Sequence, residues 1–201
     1  MIEIQGPATA LADEPFTLRA RGAGPDADLT WHARMRDDDG LVWRARAARP
    51  EDLPGAWRGK AERAALASLR PLRIDVRVEA ADGQSGSRTL TRLLVAEGVR
   101  VRRWRDGPVA TLHLPAGAPS ASVLVDGVAG VAPALLASHG VLVLAVASGD
   151  LDVARERLAA VPGAQDVETV TAADLPLPPG LPGGDPGAWA SLLARLCAPE
   201  R

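Results

Sequence analysis

Tyrosine is absent from the 201 residues, phenylalanine and lysine occur once each, as Phe16 and Lys60, and Cys197 is the only cysteine. A lone thiol excludes a disulfide framework. With one lysine, every other cation is an arginine. A net charge of -2 excludes a general attraction to nucleic acid, and a 47% hydrophobic content excludes a disordered chain. Charge is spread unevenly: residues 1–105 hold 19 basic and 15 acidic groups, and residues 106–201 hold 4 and 10. Two parts with different surfaces are implied. Met1-Ile2-Glu3-Ile4 lacks the basic start and apolar run of a secretory signal, so the expected address is cytoplasmic.

The residues 127–147 carry no charge apart from His139 and are long enough to span a bilayer. Gly127, Gly130, Pro133 and Gly140 punctuate them, however, and divide the stretch into a short helix, Ala132–Ser138, and a strand, Val141–Val146. A buried strand–helix–strand piece is expected, with no membrane span.

The first part reads as antiparallel strands. Apolar residues alternate from Phe16 to Arg21, from Leu29 to Met35, from Leu41 to Ala47 and from Leu72 to Ala80, and Arg88 to Val95 completes a hairpin. Asp37-Asp38-Asp39-Gly40 and Asp82-Gly83 have turn chemistry. Lys60–Leu69 carries the one helix signal there. These features predict an all-β immunoglobulin-like sandwich over residues 1–95.

From residue 96 the pattern changes to fully apolar runs, Ala121–Val125 and Val141–Val146, as in strands buried on both faces. Leu151–Val161 reads as a helix with Asp150 and Asp152 at its N-terminal end and Pro162-Gly163 after it. Val167–Thr171 is a further strand, and a last helix carries Trp189, Leu192, Leu193 and Leu196. A small α/β domain with four or five parallel-type strands is expected over residues 96–201.

Several stretches resemble the acyl-CoA thioesterase and bile acid-CoA:amino acid N-acyltransferase family. Ala12–Ala20, Leu29–Met35, Asp37–Gly40 and Trp43 are similar to its immunoglobulin-like domain. Gly55-Ala56-Trp57-Arg58-Gly59 and Ser68-Leu69-Arg70-Pro71 look like worn versions of that domain's motifs. Val95–Val99, Arg105–Gly107, Ala110–Gly117 and Leu135–Ala145 resemble the start of its α/β-hydrolase domain. The resemblance implies an acyl-CoA or other thioester ligand and a Ser or Cys nucleophile on a strand-to-helix elbow. No such elbow is present. Where the nucleophile strand is due, Val167–Asp174, its position falls on Ala173, and the stretch after Asp174 is too short for the later strands, the acid and the histidine. A truncated, degenerate hydrolase domain is implied, in a catalytically inactive protein acting as a ligand-binding or protein-interaction module. A residual thioester hydrolase with a non-standard nucleophile is the alternative.

Cys197 and Ser148 are the weak candidates for that nucleophile: Cys197 ends a helix whose dipole disfavours a thiolate, and Ser148 follows an apolar strand, where α/β folds place ligand groups. Arg100, Arg102, Arg103 and Arg105 crowd one strand around Trp104. They suit phosphates, with the indole on a base, and equally suit a charged strand edge. His32, His113 and His139 lack metal-ligand spacing, and Asp37–Asp39 lack the alternation of a calcium loop. No metal or cofactor is expected. A shortened sheet also exposes an edge that a second copy or a protein partner could cover.

Overall fold

The computed structural model describes residues 1–24, 27–104 and 107–197. The chain is mostly β-sheet with few helices. It divides into two units: Met1–Leu94 with Pro178–Asp185, and Val95–Leu177 with the chain from Pro186 onward. The segment Pro178–Asp185 thus interrupts the second unit. A Cβ on Gly180 would lie 1.8 Å from the Ala12 carbonyl oxygen, so only glycine allows so close a backbone approach.

In the first unit a five-stranded sheet has the order β2-β7-β6-β4-β5, and a two-stranded ribbon pairs β1 with β3. The strands are β1 Glu3–Gln5, β2 Thr9–Leu11, β3 Arg19–Arg21, β4 Leu29–Arg36, β5 Val42–Ala47, β6 Leu72–Ala80 and β7 Ser85–Leu93. The β4–β5, β4–β6 and β6–β7 pairs are antiparallel; β2 joins β7 in parallel. Alternation explains the strands: Trp31, Ala33 and Met35 of β4 and Leu72, Ile74, Val76 and Val78 of β6 are buried, while the intervening arginines and acids mostly meet solvent.

Two expectations fail for identifiable reasons. Only Arg19–Arg21 of the predicted Phe16–Arg21 strand pairs. Phe16 is instead a loop anchor: the Arg92 guanidinium lies 4.0 Å over its ring and donates to the Leu11 and Glu14 carbonyls at 3.1 and 3.3 Å. Lys60–Leu69 forms no helix. Its backbone N–H groups go to carboxylates: Ala65 donates to Asp37 at 3.1 Å, and Ala67 donates to Asp38 at 2.8 Å. Side-chain acceptors have displaced a helix ladder. A 3₁₀ turn, Pro50–Ala56, is the helical element before β6.

Gly59 shows why glycine closes the stretch Gly55–Gly59. A Cβ there would stand 2.6 Å from Cε3 of the buried Trp43 ring. That indole is tethered, since its Nε1 donates to Asp37 at 3.0 Å. Gly59→Ala is therefore expected to cost about 1–3 kcal/mol by overpacking, read as a lower denaturation midpoint at unchanged slope.

The second unit holds a five-stranded sheet of order β12-β10-β11-β9-β8, built from β8 Arg100–Trp104, β9 Val109–Leu114, β10 Ala121–Asp126, β11 Val141–Ser148 and β12 Val167–Thr171. β10 runs parallel to β11 and to β12, but β9 is antiparallel to β11 and β8 to β9. Three strands are parallel where four or five were expected. The short connection from Trp104 to Val109 permits only an antiparallel return, whereas α1 (Ala132–Ser138) and α2 (Leu151–Ala159) are the crossovers that parallel strands require.

α1 explains the uncharged stretch: Ala132, Ala134, Leu135, Leu136 and Ala137 are at most 1% exposed, as are Val141 to Leu144. The run is apolar because it is core. Among the described residues no helix is long and apolar enough to cross a membrane. α2 starts at Asp150, whose side chain accepts from the N–H groups of Asp152 and Val153. Ala154 and Leu158 pack with Leu112, Leu124, Leu142 and Leu144. α3 (Pro186–Cys197) buries Trp189, Leu192 and Leu196.

Candidate functional site

Strand β8 lies at the edge of its sheet, with β9 as its single neighbour. Strand alternation gives Arg100, Arg102 and Trp104 one face, opposite Leu114, Leu112 and Ala110 of β9. Leu112 and Ala110 belong to the core under α2, and Trp104 and Leu114 pack against it. Trp104 is accordingly half-buried, while the three described arginines of β8 are exposed. The C-terminal end of α2 stands across from this strand and completes a cleft of about 720 Å³. That size falls within the range of small-molecule sites.

The cleft gathers Arg100, Arg102, Arg103, Trp104 and Arg157, with apolar walls from Leu112, Leu114, Val161 and Pro162. Among the described residues no carboxylate lines it. Arg157 had no place among the sequence candidates. It lies far along the chain, on a helix whose turn toward β8 depends on the crossover between β11 and β12; its one local signal is an arginine in the last turn of α2, where a cation suits the helix dipole. Its guanidinium lies beside the backbone of Gly107: a Cβ there would be 3.2 Å from Nη2. Arg105 lies outside the described residues.

The two nucleophile candidates stand elsewhere and apart. Ser148 is exposed at the end of β11, opposite Val109 of β9 across an irregular register. The cap of α2 is made by Asp150, not by Ser148. Cys197 lines a second cleft of about 520 Å³ with Ser120, Ser122, Asp166, Glu168 and Arg195. Its Sγ donates to the His139 carbonyl at 3.6 Å, and Arg195 pairs with Glu168 beside it. The thiol thus ends α3 as a hydrogen-bond donor to a backbone carbonyl.

At the end of β12 the chain turns through Ala172, Ala173 and Asp174 without entering a helix. The Thr171 hydroxyl donates to the Asp174 carboxylate at 2.6 Å, and the Asp174 N–H donates to the Thr171 carbonyl at 3.1 Å. The turn offers two methyl groups and a carboxylate already engaged, with no hydroxyl or thiol at positions 172 and 173. His32 and His113 belong to β4 and β9, and His139 caps α1. Among the described residues no three metal-ligating side chains come together.

No family model matches the chain. It is similar to Acyl-coenzyme A thioesterase 6 of Mus musculus, 30% identical over 174 residues that span 67% of this chain and 42% of that protein. It is similar at 30% identity over 179 residues to the Peroxisomal succinyl-coenzyme A thioesterase of Mus musculus, spanning 70% of this chain and 42% of the relative. Acyl-coenzyme A thioesterase 1 of Rattus norvegicus gives 30% over 179 residues, 70% of this chain and 43% of the relative. The chain spans less than half the length of these relatives.

Proposed function

With its kinship to proteins named acyl-coenzyme A thioesterases as the premise, we propose that this chain is a non-hydrolysing relative that binds coenzyme A thioesters. In this reading the first unit is the immunoglobulin-like domain of the family, and the second is a truncated α/β-hydrolase-like domain that has become a binding or interaction module. The observation that carries it is the turn after β12. An acyl-transfer site needs a nucleophile at the strand end, a base within reach and donors for the oxyanion, and in this reading the nucleophile's position falls on Ala173, which has neither hydroxyl nor thiol.

The test combines calorimetric titration of the purified chain with short- and long-chain acyl-CoA esters and a colorimetric assay for released thiol. Saturable heat without thiol release is the expected result. Release of free coenzyme A in proportion to protein overturns the inactive reading, and loss of that release in Cys197→Ala or Ser148→Ala identifies the unorthodox nucleophile. Absence of any heat removes the thioester ligand.

A further inference from the structure

The arginine cleft has an order along its strand. At about 3.3 Å per residue, Trp104 stands about 7 Å from Arg102 and about 13 Å from Arg100 measured along β8. A flat, half-buried aromatic surface therefore lies at one end of a row of cations. Arg100, Arg102 and Arg103 form no ion pair among the described residues, so their charge is not spent on the described acids of the unit. A charged edge that merely repels other sheets accounts for arginines on β8. It does not account for a further arginine brought across by α2 or for the apolar floor leading to Trp104.

We propose that this cleft binds the adenosine diphosphate portion of a ligand, with the base against Trp104 and the phosphates on Arg100, Arg102 and Arg157. The planar guanidinium meets a phosphate through paired N–H donors, and an indole stacks on any nucleobase. The α2 carbonyls end on the opposite wall, so the anion sits on the strand side, and Arg157 offsets the negative end of the helix dipole. The identity of the whole ligand rests on the thioester reading above. Combined with it, the cleft reads the nucleotide end of coenzyme A and leaves the acyl chain unread.

The experiment titrates the full chain and its Arg100→Gln/Arg102→Gln variant with coenzyme A, a short-chain and a long-chain acyl-CoA, ADP, and a single-stranded oligonucleotide. Both arginines are exposed, so the variant's thermal unfolding should match the parent's. Coenzyme A and both esters are expected to bind alike, ADP to compete with them, and the variant to lose about 100-fold in affinity, roughly tenfold for each charge-assisted contact. Trp104→Phe is expected to retain binding that Trp104→Leu loses. If the esters bind the variant as tightly as the parent, the site falls while the thioester reading stands. If ADP binds through these arginines and no coenzyme A species does, the site stands and the thioester reading falls. An oligonucleotide that outcompetes ADP at the same arginines overturns the small-ligand assignment, and silence from every probe overturns both.

Discussion

Replacing Asp37 by alanine is expected to destabilise the first unit by about 3–5 kcal/mol, because three buried or half-buried donors would lose one acceptor together. Asp37 is 7% exposed. It accepts from Leu41 N–H at 2.9 Å, Trp43 Nε1 at 3.0 Å and Ala65 N–H at 3.1 Å. Asp37→Asn separates charge from shape. Its amide nitrogen would face N–H donors, so it should recover only part of the loss, whereas a fully stable Asn variant would show that the charge is dispensable. Denaturant melts followed by tryptophan emission give the comparison, since Trp31, Trp43 and Trp57 are all buried in this unit.

The same residue sets an acid limit. Burial pushes the Asp37 pKa up, but the hydrogen bonds from Trp43, Ala65, Leu41 and Asp39 outweigh it and hold the carboxyl below the ordinary 3.8. The Ser68 backbone N–H leads the lowering at Asp38, against a smaller burial penalty, with the Ser68 hydroxyl, Ala67 N–H and Arg70 assisting. Depressed carboxyl pKa values contribute stability that is fully present above the unfolded value and is lost as pH falls through the folded one. The clasp between the β4–β5 turn and residues 65–68 is thus intact at pH 5 and opens only below about pH 4.

How much of this was legible in the sequence differs from element to element. The alternation of Leu72–Ala80 is unambiguous because one face is core and the other carries charge. Ala132–Ser138 and Val141–Val146 were separable because Gly140 lies between two runs of different period. The pairing direction of β8 and β9 was not legible: apolar content reports burial, not strand polarity, and Ala110 and Leu112 are as buried in an antiparallel strand as in a parallel one. Lys60–Leu69 has helical spacing, but its N–H groups are claimed by aspartates more than twenty residues earlier. The arginines of β8 declared themselves as a local run. Arg157 did not, since it lies far along the chain from β8 and reaches the cleft only through the packing of α2 on the sheet.

His113 is expected to make the second unit the acid-sensitive one. It sits in β9 between Val101 of β8 and Val143 of β11, is 5% exposed, and its Nδ1 has no hydrogen-bond partner among the described residues. Burial pushes the imidazole down from 6.5 to about 4, because the charged form would lose its hydration without gaining a partner. The unfolded chain then binds a proton that the folded unit refuses. Stability is therefore full above pH 6.5 and falls as pH drops from 6.5 towards 4, by about 3 kcal/mol in all. His113→Leu removes the proton uptake along with an unpaired buried nitrogen. It should leave the second unit at least as stable at pH 7 and flat between pH 6.5 and 4.5, where the parent weakens. Equal pH slopes for parent and variant would mean that the ring finds a hydrogen-bonding partner when charged. In the expected case acidification loosens the second unit first, while the Asp37–Asp38 clasp still holds the first. An acid titration followed by near-ultraviolet circular dichroism should then show two steps, and His113→Leu should delete the earlier one.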